Sequence, residues 1–150
     1  MKIAIFSDTF PPKIDGVANV AYQSAKDLSK MGHQVTVFTV SSNIRTRKDK
    51  SLFKDDGFEL IKIPSVKAVS YTGDYFALPT GISFKYLRKN RPDIIHTHTP
   101  FSIGWAAIFS AKTLKVPVIG THHTFYNLYL KYLKMMDNKM GENFIWKYTV

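Results

Sequence analysis

Four of the five histidines in this 150-residue chain fall in two short runs, His96 with His98 and His122 with His123. Alternate residues of a strand face the same way, so His96 and His98 can present two ring nitrogens together, and His122 or His123 can join them from a neighbouring strand. Three chemistries are open to such a cluster. One is a zinc site, although hydrolytic zinc centres also draw on carboxylates and only Asp93 stands close by in the sequence. Another is structural, with imidazoles at strand ends bonding to nearby backbone. The third is a single imidazole facing a hydroxyl-rich ligand, donating a hydrogen bond or stabilising charge near neutral pH. The chain has no cysteine, which removes disulfides, thiolate metal sites and cysteine nucleophiles.

A second stretch invites different chemistry. "FSDTFPPKIDGVANV" (residues 6–20) leaves an apolar run through two prolines and an Asp-Gly pair, then turns helical. Gly16 stands where loop becomes helix, so it can take unusual backbone angles and bring main-chain N–H groups close to a ligand. A helix start carries unpaired donors and partial positive charge, which suits a phosphate. Pro11 and Pro12 stiffen the approach. The alternative is a plain turn in which Asp15 caps the helix. Neither G-x-G-x-x-G nor G-x-x-x-x-G-K-[ST] occurs, which disfavours a dinucleotide oxidoreductase and a P-loop nucleotide hydrolase.

The elements that position these residues follow from periodicity. Residues 2–7 form a short apolar run without turn residues, as in a buried parallel strand. From Val17 the positions Val17, Val20, Ala21, Ala25, Leu28 and Met31 follow helical spacing, and Gly32 supplies the stop. Residues 33–40 give a second strand, so the chain opens with a βαβ unit. Residues 41–57 are charged and aperiodic, a long surface loop with solvated charges. Residues 58–63 read as a third strand, 64–79 as turn-rich, 80–90 as a helix and 92–98 as a fourth strand. Residues 101–115 read as a largely buried helix and 116–123 as a fifth strand, after which Phe125, Leu128, Tyr129, Tyr132, Leu133 and Met136 mark a further helix. This alternation predicts an α/β doubly wound parallel sheet ordered 3-2-1-4-5. Its switch point lies between the first and fourth strands, where ligands bind at the carboxyl ends. "SDTFPPKIDG", "HTHTPF" and "GTHHTF" all end there.

Lys and Arg number 21 against 11 Asp and Glu, a net charge of +10 that favours anionic partners. No stretch approaches the roughly 20 apolar residues of a spanning helix, and the start lacks a secretory apolar region, so the expected address is cytoplasmic. "FKYLRKNR" sets Lys85, Arg88, Lys89 and Arg91 among Phe84, Tyr86 and Leu87, and the later stripe carries Lys131 and Lys134. Either helix can lie on an anionic bilayer, on the inner face of the cell membrane, or pack its apolar side on the sheet and solvate the rest. No nucleic-acid module motif occurs, and no nucleic-acid partner is expected.

Taken together, "FSDTFPPKIDGVANV", "RPDIIHTHTPFSIGWAA" and "VPVIGTHHT" resemble the amino-terminal domain of family 4 retaining glycosyltransferases, in order and over residues 2 to about 132. Within that family the sequence is similar to enzymes that glycosylate diacylglycerol or phosphatidylinositol. The resemblance implies a Rossmann-like domain spanning residues 1–150, the amino-terminal, acceptor-side half of a GT-B architecture, with a nucleotide diphosphate sugar as donor substrate, a lipid or glycolipid acceptor, and no cofactor or metal. It implies that Gly16 approaches the donor diphosphate and that His123 is the catalytic residue near the reacting carbon. Asp15, Val17 and Thr124 belong to the same segments, and Asp8 and His98 are assigned to the acceptor pocket. The family's paired glutamates in a carboxyl-terminal donor domain have no counterpart here, so the 150 residues alone are expected to be inactive. The reading from another class is a non-catalytic Rossmann-like module for a phosphorylated ligand or acidic partner, and a His-metal hydrolase is the third.

Overall fold

The computed structural model describes residues 1–41, 53, 55–67, 75–99 and 101–123. Thr124, the apolar stripe expected after it, and most of the charged stretch 41–57 lie outside the described residues. The main sheet is built from β1 (Lys2–Ser7), β2 (Gln34–Val40), β3 (Glu59–Ile63), β6 (Ile94–Thr97) and β7 (Val118–Gly120). Its order is β3-β2-β1-β6-β7, all parallel, which is the order expected from the sequence. The residues read as turn-rich between the third strand and the next helix hold two short strands, β4 (Ser65–Lys67) and β5 (Tyr75–Ala77), paired antiparallel as a second sheet. Elements this short carry no periodicity, so the sequence read only their turn residues.

Strand alternation divides the core between two faces. Ala4, Phe6, Phe38, Ile61, Ile63 and Ile95 lie on the side covered by α2 (Ile82–Lys89) and α3 (Ser102–Leu114). Ile3, Ile5, Val35, Val37 and Leu60 lie on the side covered by α1 (Gly16–Lys30). Period-2 side-chain placement produces this split, and each fully buried aliphatic or aromatic side chain contributes about 1.5–3 kcal/mol. Phe6 faces Phe38 in register, and their rings stack at 4.6 Å.

The helices depart from the expected faces in instructive ways. α1 buries Ala18, Ala21 and Ala25 rather than the larger residues of the apolar stripe, and Val20 and Met31 are 45% and 70% exposed. Small side chains let the helix backbone come close to the sheet, so the helix turns its alanine edge inward. Gly32 terminates it with φ +85°, the left-handed angle read from the sequence. α3 is less buried than expected: Ile103, Gly104, Ala107, Ser110 and Ala111 face inward, while Trp105 and Phe109 are 54% and 61% exposed. Of the stretch read as a solvated loop, the described residues Phe53 and Asp56 pack on the body of the domain: Phe53 lies edge-on to Phe10 at 5.6 Å and Asp56 pairs with Lys26 at 2.9 Å.

One glycine is set by packing alone. A Cβ on Gly104 would meet the Thr99 carbonyl oxygen at 2.0 Å and Thr97 Oγ1 at 3.2 Å, so the first turn of α3 sits against the end of β6 only because no side chain intervenes. Gly104→Ala therefore destabilises the fold by about 1–3 kcal/mol despite the better helix propensity of alanine, as measured by the urea midpoint at unchanged m-value.

Candidate functional site

The loops leaving the carboxyl ends of β1, β6 and β7 meet at the switch point between β1 and β6, and a continuous set of hydrogen bonds ties them together. Asp8 is the hub. Its Oδ2 accepts from Thr99 Oγ1 at 2.6 Å, its Oδ1 accepts from Ser102 Oγ at 2.8 Å and from the Ile103 amide at 3.3 Å, and its own amide donates to Thr99 Oγ1 at 3.0 Å. The carboxylate therefore serves the first turn of α3, whose own first residues have no helical acceptors, and favours the positive end of that helix. The Asp8 side chain, assigned from the resemblance to an acceptor pocket, is turned inward onto this clamp.

The first loop is fixed at both ends. Phe10 is buried against Tyr22, Phe53 and Phe58. Asp15 has the extended backbone of an N-cap and accepts from the Ala18 amide at 2.7 Å and from Thr9 Oγ1 at 3.1 Å. The Pro11–Pro12 peptide bond is cis. Gly16, expected to use unusual backbone angles, does not: it starts α1 without a positive φ. What it leaves is space, since a Cβ there would meet nothing within 4 Å. Gly16 and Val17 belong to the first helical turn, where amides lack carbonyl partners. The Asp15 carboxylate is held in the cap by the Ala18 amide and lies 3.7 Å from Lys13 Nζ.

The histidines separate into a cluster and an outlier. His98 is 1% exposed and its Nδ1 lies 3.0 Å from His123 Nε2. His96 packs on the His98 ring at 4.2 Å between centroids and bonds through Nε2 to Thr121 Oγ1 at 2.7 Å. His122 is exposed. The structural role considered for His96 is thus met, through a threonine hydroxyl rather than backbone. Among the described residues no group of three or more His, Cys, Asp or Glu side chains is disposed to hold a metal ion. Burial, then the neighbouring His96 and His123, push His98 down to about 3. Burial, then His123, lowers His96, and burial, then His122, lowers His123.

The basic residues lie elsewhere. α2 runs back toward the amino ends of the strands, where Tyr86, Leu87 and Asn90 line a hollow with Lys2, Ile3 and Gln34. Leu87 is buried, and Tyr86 packs edge-on to Phe38 and bonds to Glu59. Lys85, Arg88, Lys89 and Arg91 remain exposed, with Arg88, Lys89 and Arg91 toward the sheet edge opposite the histidines. Sequence reasoning passed over Phe10, Thr99, Ser102, Gly104 and Thr121, which hold the site together. The signal for Gly104 was a glycine inside an apolar helix, whereas isolated threonines carry none.

Residues 14–149 match the sequence profile of Glycosyltransferase Family 4. The chain is similar to an alpha-monoglucosyldiacylglycerol synthase of Streptococcus pneumoniae, 38% identical over 135 residues that cover 89% of this chain and 29% of that protein. It is also similar to a GDP-mannose-dependent alpha-mannosyltransferase of Corynebacterium glutamicum, 29% identical over 124 residues, 83% of this chain and 29% of that protein. The chain thus spans under a third of the length of these curated relatives. In fold it matches a sucrose-phosphate synthase from Thermosynechococcus elongatus at TM-score 0.60 and 16% identity, covering 93% of this chain and 36% of that one.

The buried histidines set a pH dependence of stability. Their native pKa values lie below 6.5, so between about 6.5 and about 3 the unfolded chain binds more protons than the folded one. Stability is therefore full above pH 6.5 and falls as pH drops through that window. Denaturation midpoints measured at steps across it should fall less steeply for His98→Asn, which cannot titrate.

Proposed function

Because this chain belongs to glycosyltransferase family 4, we propose that it is the acceptor-side domain of a retaining glycosyltransferase that moves a hexose from a nucleotide diphosphate sugar to a lipid hydroxyl. The observation that carries the reading is the Asp8 network, which joins the loop bearing Gly16 to the segment bearing His98 and, through it, His123. The first-turn amides at Gly16 and Val17 stabilise the leaving diphosphate, with Asp15 holding the turn open. His123, which Thr124 follows in the sequence, meets the transferred sugar. Asp8 and His98 act by holding these groups in place. Similarity to a monoglucosyldiacylglycerol synthase and to a GDP-mannose-dependent mannosyltransferase supports a nucleotide-sugar donor and a diacylglycerol-type acceptor. The short share of those relatives that is covered supports a second, carboxyl-terminal domain that carries most of the donor contacts. No metal or cofactor enters this domain's part of the reaction.

No helix among the described residues is long and apolar enough to cross a membrane. We read any membrane contact as peripheral and electrostatic, on a cytoplasmic anionic leaflet, because Leu87 and Tyr86 pack on the core while Lys85, Arg88 and Lys89 of α2 are exposed. Replacing Lys85, Arg88, Lys89 and Arg91 by Glu should abolish sedimentation with anionic vesicles at low salt. Undiminished sedimentation would remove α2 from the contact.

The test of the enzyme is sugar transfer by the full-length gene product from nucleotide diphosphate sugars to diacylglycerol in mixed vesicles. His123→Ala should lower kcat by about 10²–10³-fold. Gly16→Ala is the sharper variant: with open space for the Cβ and a gain in helix propensity it should fold at least as stably as the parent, yet raise the donor KM. An unchanged donor KM in that variant would take Gly16 out of the diphosphate site.

A further inference from the structure

His98 is buried, bonds through one ring nitrogen to His123, and has a second nitrogen, Nε2, that is buried without a hydrogen-bond partner. The ring planes of His98 and His123 lie within 11°, and their centroids are 5.2 Å apart while the nitrogens are 3.0 Å apart. The centroid separation exceeds the nitrogen separation by about the two centroid-to-nitrogen radii. The rings are therefore end to end in one plane, the arrangement in which an imidazole N–H, itself in the ring plane, points straight at an acceptor lone pair.

One proton lies between two nitrogens, and two arrangements compete. If His123 donates from Nε2, His98 must accept at Nδ1 and carry its own proton on Nε2, a buried N–H with no acceptor. If His98 donates from Nδ1, its Nε2 is left as a bare lone pair, and His123 must carry its single proton on Nδ1. Orphaned buried N–H groups are rarer in folded proteins than under-satisfied acceptors, so the second arrangement wins. Burial keeps the His98 ring neutral at physiological pH, which excludes a form with both nitrogens protonated. The His96 ring, packed on His98 and tied to Thr121, resists rotation of the pair.

We propose that His98 is a positioning residue whose Nδ1–H donates to His123 Nε2, so that neutral His123 offers an Nδ1–H donor to the sugar or acceptor hydroxyl. This rests on the reading of His123 as the group that meets the transferred sugar. His98 is then no part of the acceptor pocket. It selects the tautomer of the residue that is, and the same hydrogen bond fixes the ring plane.

Histidine-selective ¹⁵N NMR at about pH 7.5, where both rings are neutral, reads the tautomer directly. Expected are an unprotonated Nε2 and a protonated Nδ1 on His123, and a protonated Nδ1 on His98. His98→Leu, of similar bulk but without a donor, should convert His123 to a tautomer mixture and cut kcat by about 10–100-fold with little change in donor KM. His98→Asn, whose amide N–H lies near the position of Nδ1, should restore both. A His123 proton on Nε2 in the parent protein, or an unchanged tautomer in His98→Leu, overturns the proposal. If His98→Leu fails to fold by circular dichroism, the parent spectrum and the Asn variant decide. The expected spectrum in a protein that transfers no sugar supports the tautomer assignment and overturns the glycosyl-transfer reading instead.

Discussion

The site depends on one carboxylate. Asp8, at the end of β1, collects a threonine hydroxyl, a serine hydroxyl and a helix amide, and each hydrogen bond to a charged acceptor contributes roughly 1.5–3 kcal/mol. The bonds come from two segments that β1 does not precede directly, so the carboxylate closes the crevice that the switch in strand order opens. Drawing α3 so near to β6 requires that Gly104 have no side chain, because the Thr99 carbonyl and Thr97 Oγ1 occupy the space a Cβ would need. Through Thr9 and Asp15 the same constraint reaches the start of α1.

Charge is divided between the two edges of the sheet. At the carboxyl edge burial lowers the pKa of His96, His98 and His123, with His96 and His123 adding to it at His98, His123 at His96, and His122 at His123, so these imidazoles meet a ligand as hydrogen-bonding groups rather than as cations. At the amino edge the last turn of α2 and the residues after it present exposed arginines and lysine. The first arrangement suits a site in which charge develops during reaction and must be met by oriented dipoles. The second attracts anions at a distance and is screened by salt.

The first loop shows how rigidity is built without regular structure. Two prolines restrict the backbone, but the anchoring is done by Phe10, which sits among Tyr22, Phe53 and Phe58 on the α1 face of the sheet. Asp15 then ends the loop by capping α1, and the alanine edge of that helix holds it against the strands. A loop fixed this way gives up little conformational entropy when a ligand arrives.

Much of this was legible in the residues. The apolar runs and helical spacing carried the sheet order and five of its strands, because period-2 and period-3.6 burial are imposed by backbone geometry itself. The cluster of histidines and the Asp-Gly helix start also read as one edge of the sheet, the carboxyl edge where the structure brings them together, since strand ends are where a doubly wound sheet places its loops. Tertiary structure decided everything that depends on distance between segments far apart in the chain. It turned Asp8 inward onto residues more than ninety positions away, gave Gly16 an ordinary backbone and empty space, rolled α1 onto its alanines, and set His98 end to end with His123 while leaving His122 exposed. Spacing along a chain specifies which side of an element a residue occupies; which neighbour it meets there is settled only when elements pack to contact and every buried polar group must find a partner.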